Sequence, residues 1–168
     1  MDFNQLRFML VMEIDRRKLV LRLLGRRDAD GVWRGRLSSS ALSTAVAIFA
    51  LGVVDRQKYK TQIQGGIRWL CSNCNGDGGW GDTVLSESNI STTLLCWSAL
   101  TVSDDSQKIV KAAERWIVER AGSLEAQAIV KMLESKYGGD RSFSSPILSM
   151  CALAGRLGDV YFNFSNFC

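Results

Sequence analysis

The chain has 168 residues, 46% of them hydrophobic and 23% charged, so it is long enough for one hydrophobic core and too short for two domains of ordinary size. The net charge of +4 comes from 21 Lys and Arg residues against 17 Asp and Glu residues, and the scatter of the basic residues argues against a nucleic-acid partner. A single proline and little alternation of Val, Ile and Thr favour helices, so we expect one all-α domain over residues 1–168.

The first predicted elements are two helices with a polar loop between them. In residues 14–24, leucines and basic residues mix at helical spacing, and Gly25 can end this amphipathic helix. One of the serines at 38–40 can cap a second helix over residues 41–53. Because this second helix has almost no polar side, we expect it to be buried all round.

The helices that follow alternate between amphipathic and apolar. An amphipathic helix over 56–71 precedes an apolar helix over 89–102. Another amphipathic helix, over 107–120, follows the capping stretch at 103–106. Such alternation is what a double-layered ring or solenoid of helices requires.

Two more helices complete the predicted set. They cover residues 123–135 and 146–157, and Pro146 suits the first position of the second one. The tail 159–168 has no cap and no clear period, so we expect it to be a frayed end or the start of a truncated element.

The strongest sequence signal is an internal repeat. The segments 23–33 and 70–80 each run from the end of an amphipathic helix into a glycine–tryptophan turn, at an offset of 47 residues. Trp69 and Trp116 are separated by the same offset. A period of this length indicates stacked helical hairpins.

The chemistry of the second turn suits a connection between hairpins. Its three glycines, within 76–79, allow a tight reversal after the helix. Trp80 is large enough to cover the helix ends, and its indole N–H can donate to a free backbone carbonyl. Asp77 and Asp82 can accept hydrogen bonds from unpaired amides at the next turn.

This stretch resembles the QW repeat of squalene-hopene cyclases and related class II terpenoid cyclases. The small, aromatic, aliphatic, glycine and tryptophan positions of that pattern are matched by Gly66, Trp69, Leu70, Gly78 and Trp80. Cys74 stands where the family has glutamine, so the hydrogen bonds of that glutamine would have to come from Asn73 or Asn75.

The first copy of the turn matches through Leu23, Gly31 and Trp33, with Asp28 near the glutamine position. The whole resemblance covers about residues 14–158. It implies a partial α/α toroid, because the family builds rings of about six helical hairpins and a period of 47 leaves room for about three and a half here. The chain is therefore expected to be an N-terminal fragment, or a short member that pairs with something else.

The resemblance implies a segment of a class II terpenoid (triterpene) cyclase, an enzyme of the isomerase or lyase type that acts on a long isoprenoid such as squalene. These cyclases protonate their substrate with an aspartic acid in an Asp-Xaa-Asp-Asp motif. The sequence has no such motif, and the nearest approach, 28–31, lacks the final acid and fits a turn. No catalytic residue is assigned, and the isolated chain is expected to be inactive.

Other chemistries find little support. Asp104-Asp105 resembles half of a magnesium-diphosphate motif, but Lys108 stands at the position of the next acid, so a helix cap is favoured. Cys71 and Cys74 form a lone Cys-Xaa-Xaa-Cys pair in a chain without histidine, so we expect no metal site and no Ser-His-Asp or Cys-His catalysis. No glycine-rich nucleotide loop follows a strand, and no cofactor is expected.

Five cysteines, an odd number, without a signal-peptide pattern predict a reduced, cytoplasmic compartment. Glu13, Asp15 and Arg16 interrupt the opening apolar run, which is therefore too short to span a bilayer. Cys96 and Cys151 lie in apolar runs and are predicted to be small core residues.

Two noncatalytic functions stay open beside the cyclase segment. One is a helical-repeat scaffold that binds another protein. The other is an isoprenoid-binding subunit, for which Phe49, Trp97 and Trp116 could line an apolar cavity, although core positions are more usual for such residues. An incomplete ring would also leave apolar helix faces uncovered, which predicts self-association or peripheral contact with a membrane surface.

Overall fold

The computed structural model describes residues 15–35, 37–102 and 106–158. Within these ranges the chain forms α-helices and no strand, which confirms the all-α fold class. The helices are α1 (described over 15–24), α2 (Ala41–Asp55), α3 (Lys60–Ser72), α4 (Ile90–Ala99), α5 (Gln107–Ala121), α6 (Ala126–Tyr137) and α7 (Arg141–Leu153). The predicted tail 159–168 and the acidic pair Asp104-Asp105 lie outside the described residues.

Backbone contacts divide the chain into two compact units, Met1–Ser38 and Ser39–Cys168. The described part of the first unit holds α1 and the first glycine–tryptophan turn, and the second unit holds α2 to α7. A single domain over 1–168 stays a prediction.

In the first unit, α1 ends where the sequence predicts. The amide of Gly25 donates to the carbonyl of Leu21 at 2.9 Å, and the amide of Arg26 donates to Leu23 at 3.1 Å, which closes the last turn. The apolar side chains of α1 are exposed, with Leu21 69% accessible.

In the second unit, the apolar helix α4 lies at the centre of the packing. All ten of its residues are buried, and it packs against α2, α5 and α7. The amphipathic helices α3 and α5 pack against α2 and α4, respectively, so each of them covers an apolar helix. This pairing of an apolar and an amphipathic helix fits the predicted helical hairpins.

Side-chain caps fix the start of three helices. Ser40 caps α2 by accepting from the amide of Ser43 at 3.2 Å, and Asn89 caps α4 by accepting from Thr92 at 3.0 Å. Asp140 caps α7 by accepting from the amide of Ser142 at 2.9 Å. Each cap satisfies an amide that has no partner within the helix.

The prediction that the second helix is buried all round is wrong. Only Ala41, Ala45 and Ile48 of α2 are buried, whereas Val53 and Val54 are 61% and 73% exposed. The helix is apolar on every side, but the described helices that pack on it, α3 and α4, cover one side only.

The predicted start of the third helix at residue 56 is also wrong. The Asp55 carboxylate accepts from the amides of Gln57 and Lys58, at 3.1 and 2.9 Å, and holds these residues in a turn. The helix α3 therefore begins at Lys60. Competition of this kind between an aspartate side chain and a helix is common at turns.

The last helix differs from its prediction for a similar reason. Asp140 starts α7 at Arg141, so Pro146 lies inside the helix rather than at its first position, and α7 ends at Leu153. The apolar helix α4 is shorter than predicted and is followed by a 3-10 turn over Leu100–Val102. Among the described helices, none combines the length and apolar character that crossing a bilayer requires.

Candidate functional site: the glycine–tryptophan turns

The second turn closes the end of α3 through Trp80. Its indole N–H donates to the carbonyl of Leu70 at 3.0 Å, and both side chains are fully buried. The amide of Gly78 donates to Asn75, and the amide of Asn75 donates to Gly79, both at 2.9 Å. Gly78 has a φ of 92°, which an L side chain rarely adopts.

The first turn has the same hydrogen bonds at an offset of 47 residues. The indole N–H of Trp33 donates to the carbonyl of Leu23 at 2.6 Å. The amide of Gly31 donates to Asp28, and the amide of Asp28 donates to Val32, again both at 2.9 Å. Gly31 has a φ of 80°. The sequence repeat is therefore also a repeat of backbone conformation and hydrogen bonding.

The second turn is docked on α5 through Asp77 and the two glycines that follow it, Gly78 and Gly79. The Trp116 indole N–H donates to Asp77 Oδ2 at 2.8 Å, and the Arg120 guanidinium lies 3.8 Å from the Trp116 ring centroid. A Cβ at Gly78 would come within 2.8 Å of the Ala112 carbonyl oxygen, so only glycine allows this approach to α5.

Hydrogen bonds keep the Asp77 carboxylate ionised. Partial burial opposes ionisation, but donation from the Ser88 hydroxyl, the Gly79 amide and the Trp116 indole, together with the charge of Arg120, lowers its pKa below the usual value. Asp77 thus acts as a hydrogen-bond acceptor that joins the turn to α5.

The same turn is attached to α4 through backbone and hydroxyl groups. The amide of Trp80 donates to Thr93 Oγ1 at 3.1 Å, and the amide of Asn89 donates to the carbonyl of Trp80 at 3.0 Å. Asp82 Oδ1 accepts from the Thr92 hydroxyl at 2.6 Å and from Asn89 at 2.9 Å, and these bonds lower its pKa. The turn therefore joins three helices, α3, α4 and α5.

The sequence predicts Cys74 at the family's glutamine position, with Asn73 or Asn75 as the substitute for its hydrogen bonds. The Cys74 thiol makes a long contact with the Gly79 carbonyl, with the sulfur 3.7 Å away. Asn73 donates to the carbonyl of Trp69 at 2.8 Å and so caps α3, and Asn75 donates to Ser88 Oγ at 2.9 Å. In the first copy, Asp28 pairs with Arg34 at 2.7 Å instead of contacting the helix end.

The remaining residues of the predicted motif lie on α3. A Cβ at Gly66 would come within 2.7 Å of Ile48 Cγ1, so the small residue is needed where α3 approaches α2. Trp69 is half-buried and packs against the hydrophobic core. The assignment of these residues to a QW motif stays a prediction.

Two of the three aromatic residues proposed for a ligand cavity are core residues. Trp97 and Trp116 are almost fully buried, and Phe49 is partly buried against the core. The Trp97 indole donates to Glu114 at 3.2 Å, while Arg156 lies 4.4 Å from the Trp97 ring centroid. This cluster could not be predicted from the sequence, because no local pattern links Trp97 to Arg156.

The two cysteines of Cys-Xaa-Xaa-Cys line a surface cavity of about 330 Å³ between the turn and α5. Burial, with the charges of Asp77 and Cys71, raises the pKa of Cys74 to about 11, and burial also raises that of Cys71. Burial therefore favours the thiol form of both groups over the thiolate form. In the part of the chain that the structure describes, no three His, Cys, Asp or Glu side chains are grouped to hold a metal ion.

Cys96 and Cys151 are both fully buried, as predicted for small core residues. Burial raises the pKa of Cys151 to about 11, although the hydrogen bond from Ser98 and the charge of Arg156 oppose that rise. These thiols therefore fill core space between α4 and its neighbours.

The chain matches a known protein family over most of its length. Residues 17–138 match the family described as the squalene-hopene cyclase N-terminal domain, and this match covers more than half of the chain. No solved structure gives a significant match. The chain accordingly belongs to the squalene-hopene cyclase N-terminal domain family.

Proposed function

We propose that the chain supplies helical repeats of a squalene-hopene cyclase-like protein, a class II terpenoid cyclase, and that residues 1–168 do not cyclise squalene by themselves. The family match over 17–138 is the main support for this proposal. The two equivalent turns add to it, because each combines a glycine of positive φ with a tryptophan indole that donates to a carbonyl at the end of the preceding helix.

The pKa values of the carboxylates at the turns support the proposal that this segment is inactive by itself. A cyclase of this class needs an aspartic acid that stays protonated until it meets the alkene or epoxide, which requires a raised pKa. In Asp30, the hydrogen bond from Arg34 lowers the pKa, and hydrogen bonds outweigh partial burial to lower the pKa of Asp77. The pKa of Asp82 is lowered by Thr92 and Asn89. These carboxylates suit hydrogen-bond acceptors, and the catalytic acid is assigned outside these residues.

The experiment is an incubation of purified 1–168 with squalene in detergent, followed by gas chromatography and mass spectrometry. We expect no hopene or other cyclic product above a control without protein. A cyclase of known activity, in the same detergent, checks the assay. Cyclic product from 1–168 would contradict the proposal that this segment is inactive. If Asp77→Asn or Asp82→Asn then abolished product formation, the substituted carboxylate would be the catalytic acid.

The exposed apolar face of α2 favours a second candidate, a noncatalytic subunit that binds an isoprenoid. The same mixtures test it through tryptophan fluorescence. A saturable change with squalene, without product, would favour this candidate, and no change would count against it. For either function we infer a cytoplasmic location, with peripheral membrane contact as the route to a membrane-dissolved isoprenoid.

A further inference from the structure

Two cysteines lie at a cavity on the surface of the second unit. Cys71 and Cys74 are free thiols of intermediate burial, and both line the cavity of about 330 Å³ between the turn 75–80 and α5. The other cysteines in the described part of the chain, Cys96 and Cys151, are fully buried in the core. A small reagent in solution therefore reaches the thiols of Cys71 and Cys74 first.

The backbone brings these two cysteines close enough to be joined. Cys71 lies in the last turn of α3. The chain stays helical beyond it, since the amide of Asn73 donates to the carbonyls of Trp69 and Leu70 at 3.1 and 3.2 Å. In a helical turn, Cα atoms three residues apart are about 5 Å from each other, within the range of about 4.4–6.8 Å that a disulfide requires. The electrostatic effect of Cys71 on the pKa of Cys74 is consistent with this proximity.

The contact that holds the Cys74 side chain in its present orientation is weak. Its sulfur lies 3.7 Å from the carbonyl oxygen of Gly79. A thiol is a poor hydrogen-bond donor, so rotation of this side chain away from Gly79 costs little free energy. Cys74 can therefore turn toward Cys71 without the loss of a strong interaction.

We propose that Cys71 and Cys74 are a site of reversible disulfide formation, through thiol–disulfide exchange with a small disulfide such as glutathione disulfide. The Cys71 thiol loses its proton, and its sulfur attacks the reagent, breaks the S–S bond and releases one glutathione thiol. The Cys74 sulfur, after losing its proton, attacks the Cys71 sulfur and releases the second glutathione. The pair of cysteines loses two electrons and two protons, and the reagent takes up both.

Burial makes this exchange slow, but it does not oppose the product. Attack requires a thiolate, and burial raises the pKa of both Cys71 and Cys74. The same burial means that ionisation does not stabilise the reduced pair. Dithiol pairs that resist oxidation are those whose reduced form is stabilised, so the disulfide of this pair is the more stable form once an oxidant is present.

The pH dependence of the rate follows from the groups at the cavity. The charged side chains that line it, from the turn and from α5, are Asp77, Arg115 and Glu119. Carboxylates and guanidinium groups do not titrate between pH 7 and 9. The rate should therefore follow the thiolate population alone and rise about tenfold for each pH unit over this range.

The test exposes the folded chain to glutathione disulfide, stops the reaction with acid and maps the disulfides by proteolytic digestion and mass spectrometry. The chain carries Cys168→Ser, because Cys168 lies outside the described residues. We expect the loss of two hydrogen atoms, a peptide that links Cys71 to Cys74, and recovery of both thiols with dithiothreitol. Circular dichroism before and after oxidation checks that the chain stays folded.

Two controls separate this site from general oxidation. Cys74→Ser should stop at the first step and retain one glutathione on Cys71, because the attacking sulfur of the second step is missing. In the same samples Cys96 and Cys151 should remain thiols, since both are fully buried. A parallel sample in urea, where burial is lost, should show reaction at every cysteine.

Three results would overturn the proposal. One is a folded parent chain that keeps glutathione on Cys71 without linking it to Cys74, because the two sulfur atoms would then be unable to meet. Another is a link from Cys74 to Cys96. The third is reaction of the cysteines in urea with none in the folded chain, which would show that the cavity does not admit the reagent.

Discussion

Single glycines determine how closely the helices of the second unit approach one another. Gly65 and Gly66 are adjacent in α3, but their surroundings differ. A Cβ at Gly66 would lie 2.7 Å from Ile48 Cγ1, while a Cβ at Gly65 would meet nothing within 4 Å. Ile48 is buried in α2, where a β-branched side chain has little freedom to move. The same substitution at these two positions therefore separates the effect of helix propensity on stability from the effect of packing.

We predict that Gly66→Ala is less stable than Gly65→Ala by about 1–3 kcal/mol, the usual cost of overpacking a core. Both substitutions gain the same helix propensity, about 1 kcal/mol, so the difference reports the contact with Ile48. Urea unfolding followed by circular dichroism measures both variants. Equal stabilities would show that α2 and α3 approach less closely than the structure has them.

At the scale of elements, the turn 75–80 connects α3 to α5 through one ionised side chain. Asp77 accepts from Ser88, Gly79 and Trp116, and these bonds lower its pKa despite partial burial. A carboxylate with a lowered pKa stabilises the fold above its unfolded pKa of about 3.9, and this contribution is lost as pH falls through the folded pKa.

We predict that Asp77→Asn lowers the free energy of unfolding by about 1 kcal/mol or more at pH 7, because hydrogen bonds to a charged acceptor are lost. The difference from the parent chain should shrink as pH falls below about 4, where the parent carboxylate also becomes protonated. Urea unfolding at a series of pH values measures it. Glu87→Gln, at an exposed position, is the control, and a difference that stays constant with pH would contradict the assignment.

The two glycine–tryptophan turns could be predicted from the sequence because their signals are local. Glycine, tryptophan and the offset of 47 residues are enough to place the turns and the ends of α1 and α3. The hydrogen bond between Asp77 and Trp116 could not be predicted, since these residues are 39 positions apart and no local pattern pairs them. The predicted position of Pro146 is wrong because Asp140 caps the helix six residues earlier, which places the proline inside α7.

The error on α2 has a different origin. A helix that is apolar on every side indicates burial only where neighbours exist to cover each side. The sequence of α2 does not show which other helices pack on it. In the described residues, α3 and α4 pack on one side of α2. Composition therefore predicted the helix correctly and its environment incorrectly.

At the scale of the whole molecule, the uncovered side of α2 is the feature with the largest consequence. It presents Val46, Val53 and Val54, and no charged side chain interrupts the helix before Asp55. Exposed apolar patches of this kind usually mark contact surfaces. Self-association through α2 is the simplest expectation for the purified chain, since a second copy offers the same apolar stripe.

We predict that 1–168 forms dimers as its concentration rises, measured by light scattering in the absence of detergent. Val53→Lys together with Val54→Lys should weaken the dimer about tenfold or more, equivalent to about 1.4 kcal/mol, because two charges would lose water on association. Thr61→Lys with Gln64→Lys adds the same charge at exposed positions of α3 and should leave the dimer unchanged. A parent chain that stays monomeric at every concentration would show that the exposed valines of α2 do not drive association.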